Sequence, residues 1–271
     1  MGFEGKHPAT KDPEFLSTLE RGMRVLKAFD EDDPEMTLSE VAVKTGLPPA
    51  VARRCLKTFL ELGYVAQHER KFLLRPAVLT IGSAFLASMQ IEQVVHPALQ
   101  HLRDQTGDSA SLAVLAGNEI LYVAHVSTDR RFRLAANVGT RFPFHATSLG
   151  KAMAASLPAG ERDGLLAQAP YQRFTERTVT DRAAIEERFV LIAERGYDSA
   201  LDELDYGIVS VAVPIYGRER KVVAAINCST STTRISQDEL VRTRLPLLRG
   251  AASEIEGALK RWPALEASLK P

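Results

Sequence analysis

Residues 37–63 punctuate themselves into two short helices joined by a tight break, and few folds accept that pattern. Thr37-Leu-Ser-Glu40 has the spacing of a capping box. In such a box the threonine hydroxyl and the glutamate carboxylate each satisfy a backbone N–H left free by the first helical turn. The helix that starts there runs through Val41 and Val43 and must end near Gly46-Leu-Pro-Pro49. Proline opens the next helix without loss, because first-turn N–H groups have no intrahelical acceptor. That helix is expected from Pro49 to Leu62, with Gly63 as its C-terminal stop. Upstream, Leu16, Leu19, Met23, Leu26 and Ala28-Phe29 recur at three- and four-residue steps and predict a helix from about Phe15 with one buried face. It stops in the acidic turn Asp30-Glu-Asp-Asp-Pro34. Downstream, Tyr64–His68 and Phe72–Arg75 predict short strands around Glu69-Arg-Lys71. Three helices, a tight break between the second and third, then a hairpin: this is the order of a winged helix-turn-helix.

The third helix has two sides. Ala50, Arg53, Arg54 and Lys57 share one face, while Val51, Cys55, Phe59 and Leu62 form an apolar flank widened by Ala52, Leu56 and Leu60. A major groove admits one helix, and arginine can bond both acceptors of a guanine. For the stripe alone, a solvated charged face is the plain alternative. The capping box, the Gly-Leu-Pro-Pro break, and Arg70 and Lys71 on the hairpin favour DNA. Net charge first argues the other way, since 34 Lys and Arg balance 34 Asp and Glu. The charges are sorted, however. Residues 1–43 hold five basic against ten acidic residues, and residues 44–76 hold seven against two. A local basic patch can meet phosphates while the whole chain stays neutral.

Residues 1–13 show no periodicity and read as a flexible arm. Residues 77–106 are strongly helical, with Pro97 restarting the run at His96. After Gly107 the pattern alternates: Ser111–Leu115 and Ile120–Val126 flank the turn signal Gly117-Asn118, and Phe132–Ala136 continues as a third strand. Helices are expected at Ser148–Leu157, Glu161–Gln168 and Asp181–Arg195, strands at Ile208–Ile215 and Val222–Cys228, and a last helix at Gln237–Lys260 capped by Ser236. This succession indicates an α+β domain with a mainly antiparallel sheet.

Several function classes are disfavoured. Hydrophobic residues at 45% and charged residues at 25% fit a globular core rather than disorder. Cys55 and Cys228 cannot make a disulfide framework and fit a reducing compartment. No apolar run reaches the roughly 18 residues of a membrane span, and the N-terminus lacks the apolar stretch of a signal peptide. A cytoplasmic soluble protein with no membrane partner is expected. Cys228, His145 and Asp198 have no motif context as a nucleophile triad. His96 and His101 are five residues apart rather than four, and His125 has no partner by spacing, which argues against zinc. A Gly-rich phosphate loop is absent. No cofactor, no metal and no catalysis are expected.

The chain resembles the IclR family of bacterial transcription regulators across almost all of residues 15–262. The resemblance rests on Leu19-Glu-Arg-Gly-Met-Arg-Val-Leu26, Leu38-Ser-Glu-Val-Ala42 and Leu60-Glu-Leu-Gly-Tyr-Val65 in the first part. In the second it rests on Val138-Gly-Thr-Arg-Phe-Pro143, His145-Ala-Thr-Ser-Leu-Gly-Lys-Ala152, Glu194-Arg-Gly-Tyr197 and Gly207-Ile-Val-Ser-Val-Ala-Val-Pro214. It implies a flexible arm (1–13), a winged helix-turn-helix DNA-binding domain (14–76), a linker helix (77–90), a GAF-like effector-binding domain with an antiparallel sheet (91–262) and a tail (263–271). It also implies homodimers, or dimers of dimers, on palindromic operator DNA. The candidate DNA contacts are Thr37, Ser39, Pro49, Ala50, Arg53, Arg54, Lys57, Arg70 and Lys71. Many members carry a serine or threonine where Pro49 and Ala50 stand, so more weight falls on Arg53, Arg54 and Lys57.

Ala50-Val-Ala-Arg-Arg-Cys-Leu56 is similar to the PcaR/PcaU/PobR branch, which answers to protocatechuate, 4-hydroxybenzoate or β-ketoadipate pathway intermediates. The resemblance places the effector carboxylate on backbone N–H groups of the loop Thr147-Ser-Leu-Gly150, with Thr147, Ser148 and Leu149 the candidate contacts, where a helix N-terminus attracts anions. Ser210, Asn227 and Ser229 match sheet positions that can face the ligand. Asn227 and Ser229 share one side, either pocket or solvent. Ala200 stands where the glyoxylate-responsive branch has an acid, which suits an aromatic acid better than a small hydroxy acid. Arg133 is the candidate cation for the carboxylate, or a solvated strand residue. His145 either meets a ring hydroxyl or pins the Pro143–Ala146 loop. The expected function is a ligand-responsive DNA switch for an aromatic-acid catabolic operon. A sensor of small aliphatic keto or hydroxy acids, or one acting through protein partners, is the alternative.

Overall fold

The Thr37 hydroxyl accepts the Glu40 N–H at 3.4 Å, and the Glu40 carboxylate takes the Thr37 N–H at 2.7 Å. This reciprocal cap starts α2 (Leu38–Thr45), as its spacing predicts. The computed structural model describes residues 14–128, 136–169 and 171–270, apart from the Glu92 side chain. They divide into two units between Phe85 and Leu86.

In the first unit α1 (Ser17–Leu26) precedes α2, and Gly46, at φ +65°, ends α2 before α3 (Pro49–Glu61). Gly63, at φ +77°, makes the following turn into β2 (Val65–His68) and β3 (Lys71–Leu74). A third strand, β1 (Glu35–Thr37), pairs antiparallel with β3, giving the order β1-β3-β2. Three residues beside an acidic run are too few to show alternation, so β1 was not expected. Val25, Met36, Val41, Ala52 and Leu56 are almost fully buried and form the core. Two apolar expectations fail. Leu62 is 60% exposed, because it caps α3 instead of continuing it. Leu16, Leu19 and Met23 stay exposed, and α1 buries Val25 and Leu26 instead.

One turn of 3₁₀ helix at Pro76–Val78 leads into α4 (Leu79–Ser88). The helical run then breaks at Gln90, whose φ is +53°, into α5 (Ile91–Val94) and α6 (His96–Thr106). α6 restarts at His96-Pro97 as expected.

The second unit is a six-stranded sheet of order β6-β5-β4-β9-β8-β7, antiparallel throughout. The strands are β4 (Ser109–Ala116), β5 (Glu119–Val126), β6 (Arg141–Pro143), β7 (Asp198–Leu201), β8 (Ile208–Tyr216) and β9 (Val222–Ser231). The helices are α7 (Ser148–Ala155), α8 (Ala159–Leu166), α9 (Arg182–Arg195), α10 (Gln237–Arg261) and α11 (Pro263–Leu269). Asp181 caps α9 and Ser236 caps α10 through their side-chain oxygens. β6 and β7 were not anticipated, since each is short and carries a charged residue. Of the expected strand Phe132–Ala136, all but Ala136 lies outside the described residues, and Ala136 itself is in no strand. Residues 263–269, expected as tail, form α11, with Leu265 and Leu269 buried and the Glu266 Oε1 accepting the Arg218 N–H at 3.0 Å. No helix among the described residues is long and apolar enough to cross a membrane.

Side chains alternate across a strand. Ala113, Tyr122, Ala212 and Ala225 face the side where Leu149, Ala152 and Met153 of α7 pack. The fully buried Val209 and Val211 therefore face the other side, where α10 lies against β8. The start of α7 is seated by Gly150, whose absent Cβ would sit 2.4 Å from the Phe144 backbone. Gly150→Ala is expected to destabilise the protein by about 1–3 kcal/mol, the usual cost of overpacking a rigid site. Gly160, in open space on α8, supplies the contrast: Gly160→Ala should be neutral or slightly stabilising. Urea unfolding of the two variants checks the difference, and equal midpoints would refute the seating role.

Candidate functional site

Two places concentrate exposed or cavity-facing polar groups, one in each unit. In the first, Pro49, Ala50, Arg53, Arg54 and Lys57 all lie exposed on α3. Among the described residues no side-chain hydrogen bond or ion pair engages Arg53, Arg54, Lys57 or Arg70. Arg70 sits in the exposed turn between β2 and β3, beside Glu69 at φ +53°. The other expected contacts are placed differently. Lys71 Nζ donates to Glu35 Oε1 at 2.6 Å, across the β1–β3 pair. Lys44 Nζ binds Asp30 at 2.7 Å and Asp33 at 2.6 Å. The Thr37 hydroxyl is committed to Glu40, and Ser39 is exposed. The basic patch therefore narrows to the α3 stripe, Arg70 and exposed Arg75, with two lysines neutralised by the acidic segment before them.

In the second unit a cavity of ≈ 430 Å³ opens between the sheet and the start of α7. Register explains its floor. Ser210, Ser229 and Ser109 are paired in one row across β8, β9 and β4. Ala212, Asn227, Ser111 and His125 are paired in the next row on the same face, reaching β5. The α7 end is fixed by polar contacts. Thr147 caps the helix by accepting the Gly150 N–H at 3.0 Å, and the Ser148 and Ser210 hydroxyls meet at 2.8 Å. With Gly150 taken by the cap and Lys151 N–H bonded to the Thr147 carbonyl, the first-turn donors left are those of Ser148 and Leu149. Such a helix start attracts an anion through its free N–H groups and dipole.

Thr147, Ser148, Leu149, Ser210, Asn227 and Ser229 all line this cavity, as does Ala200. Asn227 and Ser229 thus face the cavity rather than solvent. His145 does not line it. Its Nε2 meets the Gln172 carbonyl at 2.9 Å and its ring stacks on Tyr171 at 4.7 Å, so it pins its own loop, and burial holds its pKa below the usual histidine range. Arg133 lies outside the described residues.

Sequence reasoning missed Ser109, Ser111, Tyr122, His125 and Glu203. Tyr122 and His125 are three apart, so strict alternation sends them to opposite faces. A bulge in β5 breaks the count: Tyr122 pairs with Ala113 and His125 with Ser111, two residues apart on β4. Both rings then face the cavity, which is what an extra residue in one strand does. The Ser111 hydroxyl lies 2.9 Å from His125 Nδ1, and burial lowers the His125 pKa. Tyr122 packs edge-on to Phe142 at 5.7 Å, giving the cavity an aromatic wall. Two atoms at the cavity, Asn227 Oδ1 and Thr128 Oγ1, are buried without a hydrogen-bond partner among the described residues.

Glu203 reaches the same cavity from a buried charge cluster. Lys151, fully buried on α7, donates Nζ to Glu203 Oε2 at 2.5 Å and lies 3.4 Å from Asp198 Oδ2. That second contact lacks hydrogen-bond geometry. Asp198 Oδ1 also receives Arg188 Nε at 2.7 Å and Arg195 at 3.2 Å. Burial pushes the Glu203 carboxyl up, and the Lys151 ammonium opposes that. Cys228 faces away from the cavity, one residue out of phase with Asn227, and burial raises its thiol to about 12. A protonated cysteine on the far face is no nucleophile for His145 or Asp198.

Residues 18–69 match the family described as IclR helix-turn-helix domain, and residues 83–257 match the family described as bacterial transcriptional regulator IclR C-terminal. The chain is 34% identical to the Pca regulon regulatory protein of Pseudomonas putida, over 91% of this chain and 85% of that one. It is 30% identical to the p-hydroxybenzoate hydroxylase transcriptional activator of Acinetobacter baylyi, over 89% and 91% respectively. Among solved structures it is similar to an IclR homolog from Microbacterium hydrocarbonoxydans complexed with 4-hydroxybenzoate. That likeness has a TM-score of 0.74, with 25% identity and coverage of 90% of this chain and 99% of the other.

Lys151→Met removes the only ammonium that contacts both Asp198 and Glu203 among the described residues. Leaving Glu203 buried without its ammonium, while Asp198 keeps Arg188 and Arg195, should cost about 3–5 kcal/mol at neutral pH. The sign with pH follows from the raised Glu203 pKa. A carboxyl that titrates higher when folded binds more protons in the native state, so stability falls as pH rises. The deficit of the variant against the wild type should shrink as pH is lowered toward the ordinary carboxylate range. Urea unfolding at several pH values checks this, and a pH-independent deficit would refute the charge argument.

Proposed function

This chain belongs to the IclR family of bacterial transcriptional regulators, which bind DNA and are not enzymes, and from that premise we infer that its effector is an aromatic carboxylic acid. The observation that carries the inference is the cavity itself. Its α7 end offers the Ser148 and Leu149 N–H groups to a carboxylate, and Tyr122 and Phe142 wall it with rings set edge-on. Ala200 adds no charge there. Aromatic rings favour offset or edge-to-face neighbours of their own kind. The relatives support the same reading, since one is a p-hydroxybenzoate hydroxylase transcriptional activator and a similar structure holds 4-hydroxybenzoate. The operon under control is then one for aromatic-acid catabolism.

On the DNA side, α3 is the groove-reading helix, with Arg53 and Arg54 directed at bases, and Lys57 and Arg70 at phosphates. Pro49 and Ala50 allow close approach at its start. A homodimer on a palindromic operator accounts for the exposed Leu16 just before α1, Leu19 on α1, and Leu79 and Ile81 on α4, apolar groups that self-association would cover. The effector alters operator affinity only by as much as it favours one arrangement of the protein over another.

Two measurements test this function. Duplexes selected from a random pool by the full chain should lose about 1–3 kcal/mol of binding on Arg53→Ala or Arg54→Ala, with the loss falling on particular base pairs. Affinity should also drop steeply as salt rises. Equal losses on all sequences, or a flat salt response, would remove base reading or phosphate contact respectively. For the effector, benzoate and its hydroxylated derivatives should raise the melting temperature, while glyoxylate and pyruvate should not. The reverse pattern would assign the cavity to small aliphatic acids.

A further inference from the structure

The α7 end of the cavity accounts for one end of a ligand and leaves the other end unexplained. Asn227 is only 4% exposed, and its Oδ1 has no hydrogen-bond partner among the described residues. A buried amide oxygen left unbonded costs about 1–3 kcal/mol, so the position calls for a donor from within the cavity. Its register neighbours extend the same polar row: Ser111 on β4, and His125 on β5, held to Ser111 at 2.9 Å. Neither Ser111 nor His125 has a role at the α7 end.

We propose that Asn227, with Ser111 and His125 beside it, is a docking point for a hydroxyl group at the far end of the ligand from its carboxylate. The inference rests on the aromatic-acid reading above and adds to it a positional requirement. A hydroxyl can both donate and accept, so it satisfies either end of the Asn227 amide.

Geometry selects which hydroxyl. The carboxylate end lies over Ser210, since Ser148 Oγ touches Ser210 Oγ at 2.8 Å. From Ser210, Asn227 is one strand across and two residues along, and Ser111 is two strands across and two residues along. With strands about 4.8 Å apart and about 3.4 Å per residue, these offsets are about 8 Å and about 12 Å in the plane of the sheet. One benzene ring with its two polar groups para, and a hydrogen bond of about 2.8 Å at each end, bridges such a span. An ortho hydroxyl stays beside the carboxylate and leaves Asn227 unbonded. A para methyl group reaches the site and cannot bond there.

Calorimetric titration of the full-length protein tests the proposal with benzoate, 2-hydroxybenzoate, 4-hydroxybenzoate and 4-methylbenzoate as probes. The 4-hydroxy compound should bind about tenfold or more tightly than both the 4-methyl and the 2-hydroxy compounds, since a site built to bond a hydroxyl rejects an analogue lacking it. In Asn227→Leu the ratio of 4-hydroxy to 4-methyl affinity should collapse toward unity, and in Ser111→Ala it should narrow. The Ser111→Ala ratio decides alone if Asn227→Leu fails to fold. Equal wild-type affinities for the 4-hydroxy and 4-methyl compounds overturn the proposal while the aromatic-acid reading stands. So does a ratio unchanged by the substitutions. If no benzoate binds at all, the aromatic reading fails and this inference falls with it.

Discussion

Lys151 is the point on which the second unit turns. Its ammonium is fully buried, and a charge in that position persists only when paired and hydrogen-bonded. The pairing joins α7 to Asp198 on β7 and to Glu203 in the loop beyond it, while Arg188 and Arg195 of α9 hold the other oxygen of Asp198. α7 is thereby tied to the distant stretch formed by α9, β7 and the loop after it, in one cluster beneath the cavity wall. The cluster sits one residue after Gly150, the position where α7 approaches the Phe144 backbone too closely for a side chain. Steric fit and charge pairing therefore act on the same helical turn. That turn also presents the two free N–H groups to the cavity.

Much of the first unit was legible because its cues are local. A threonine three residues before a glutamate, a glycine before two prolines and a glycine after an apolar run each dictate backbone geometry within one turn. The outline of the second unit was legible for a similar reason, since β4, β5, β8 and β9 are long enough to alternate and α9 and α10 begin at capping side chains. What escaped was decided at longer range. β1 and β6 are strands of three residues each, defined by a partner rather than by their own pattern. α11 is held by Glu266 receiving a backbone N–H from a residue 48 positions earlier. No window of the sequence reveals such a contact.

The candidate site divides along the same line. Ser210, Asn227 and Ser229 fall at alternate positions of regular strands, and they arrive at the cavity together. His145 shares a motif with Thr147 and Ser148 yet turns away, because a 3₁₀ turn at Phe144–Ala146 rotates it toward Tyr171 and Gln172. His125 makes the opposite journey, carried inward by the β5 bulge. A local backbone irregularity in each case outweighs the chemistry that the side chain suggests.

The ion pairs of Lys71 on the wing and Lys44 on α2 give the first unit a further property. Lys71 and Lys44 already hold carboxylates from the acidic stretch that precedes α2. The protein carries part of its own counterion atmosphere, covalently attached. A phosphate that approaches either lysine must displace Glu35, Asp30 or Asp33, and the displaced carboxylate cannot diffuse away. Mobile ions alone gain entropy on release, so these two lysines add little to a drive that depends on dilution. On the DNA-binding reading proposed above, discrimination is thereby left to the cations on α3, which hold no carboxylate among the described residues.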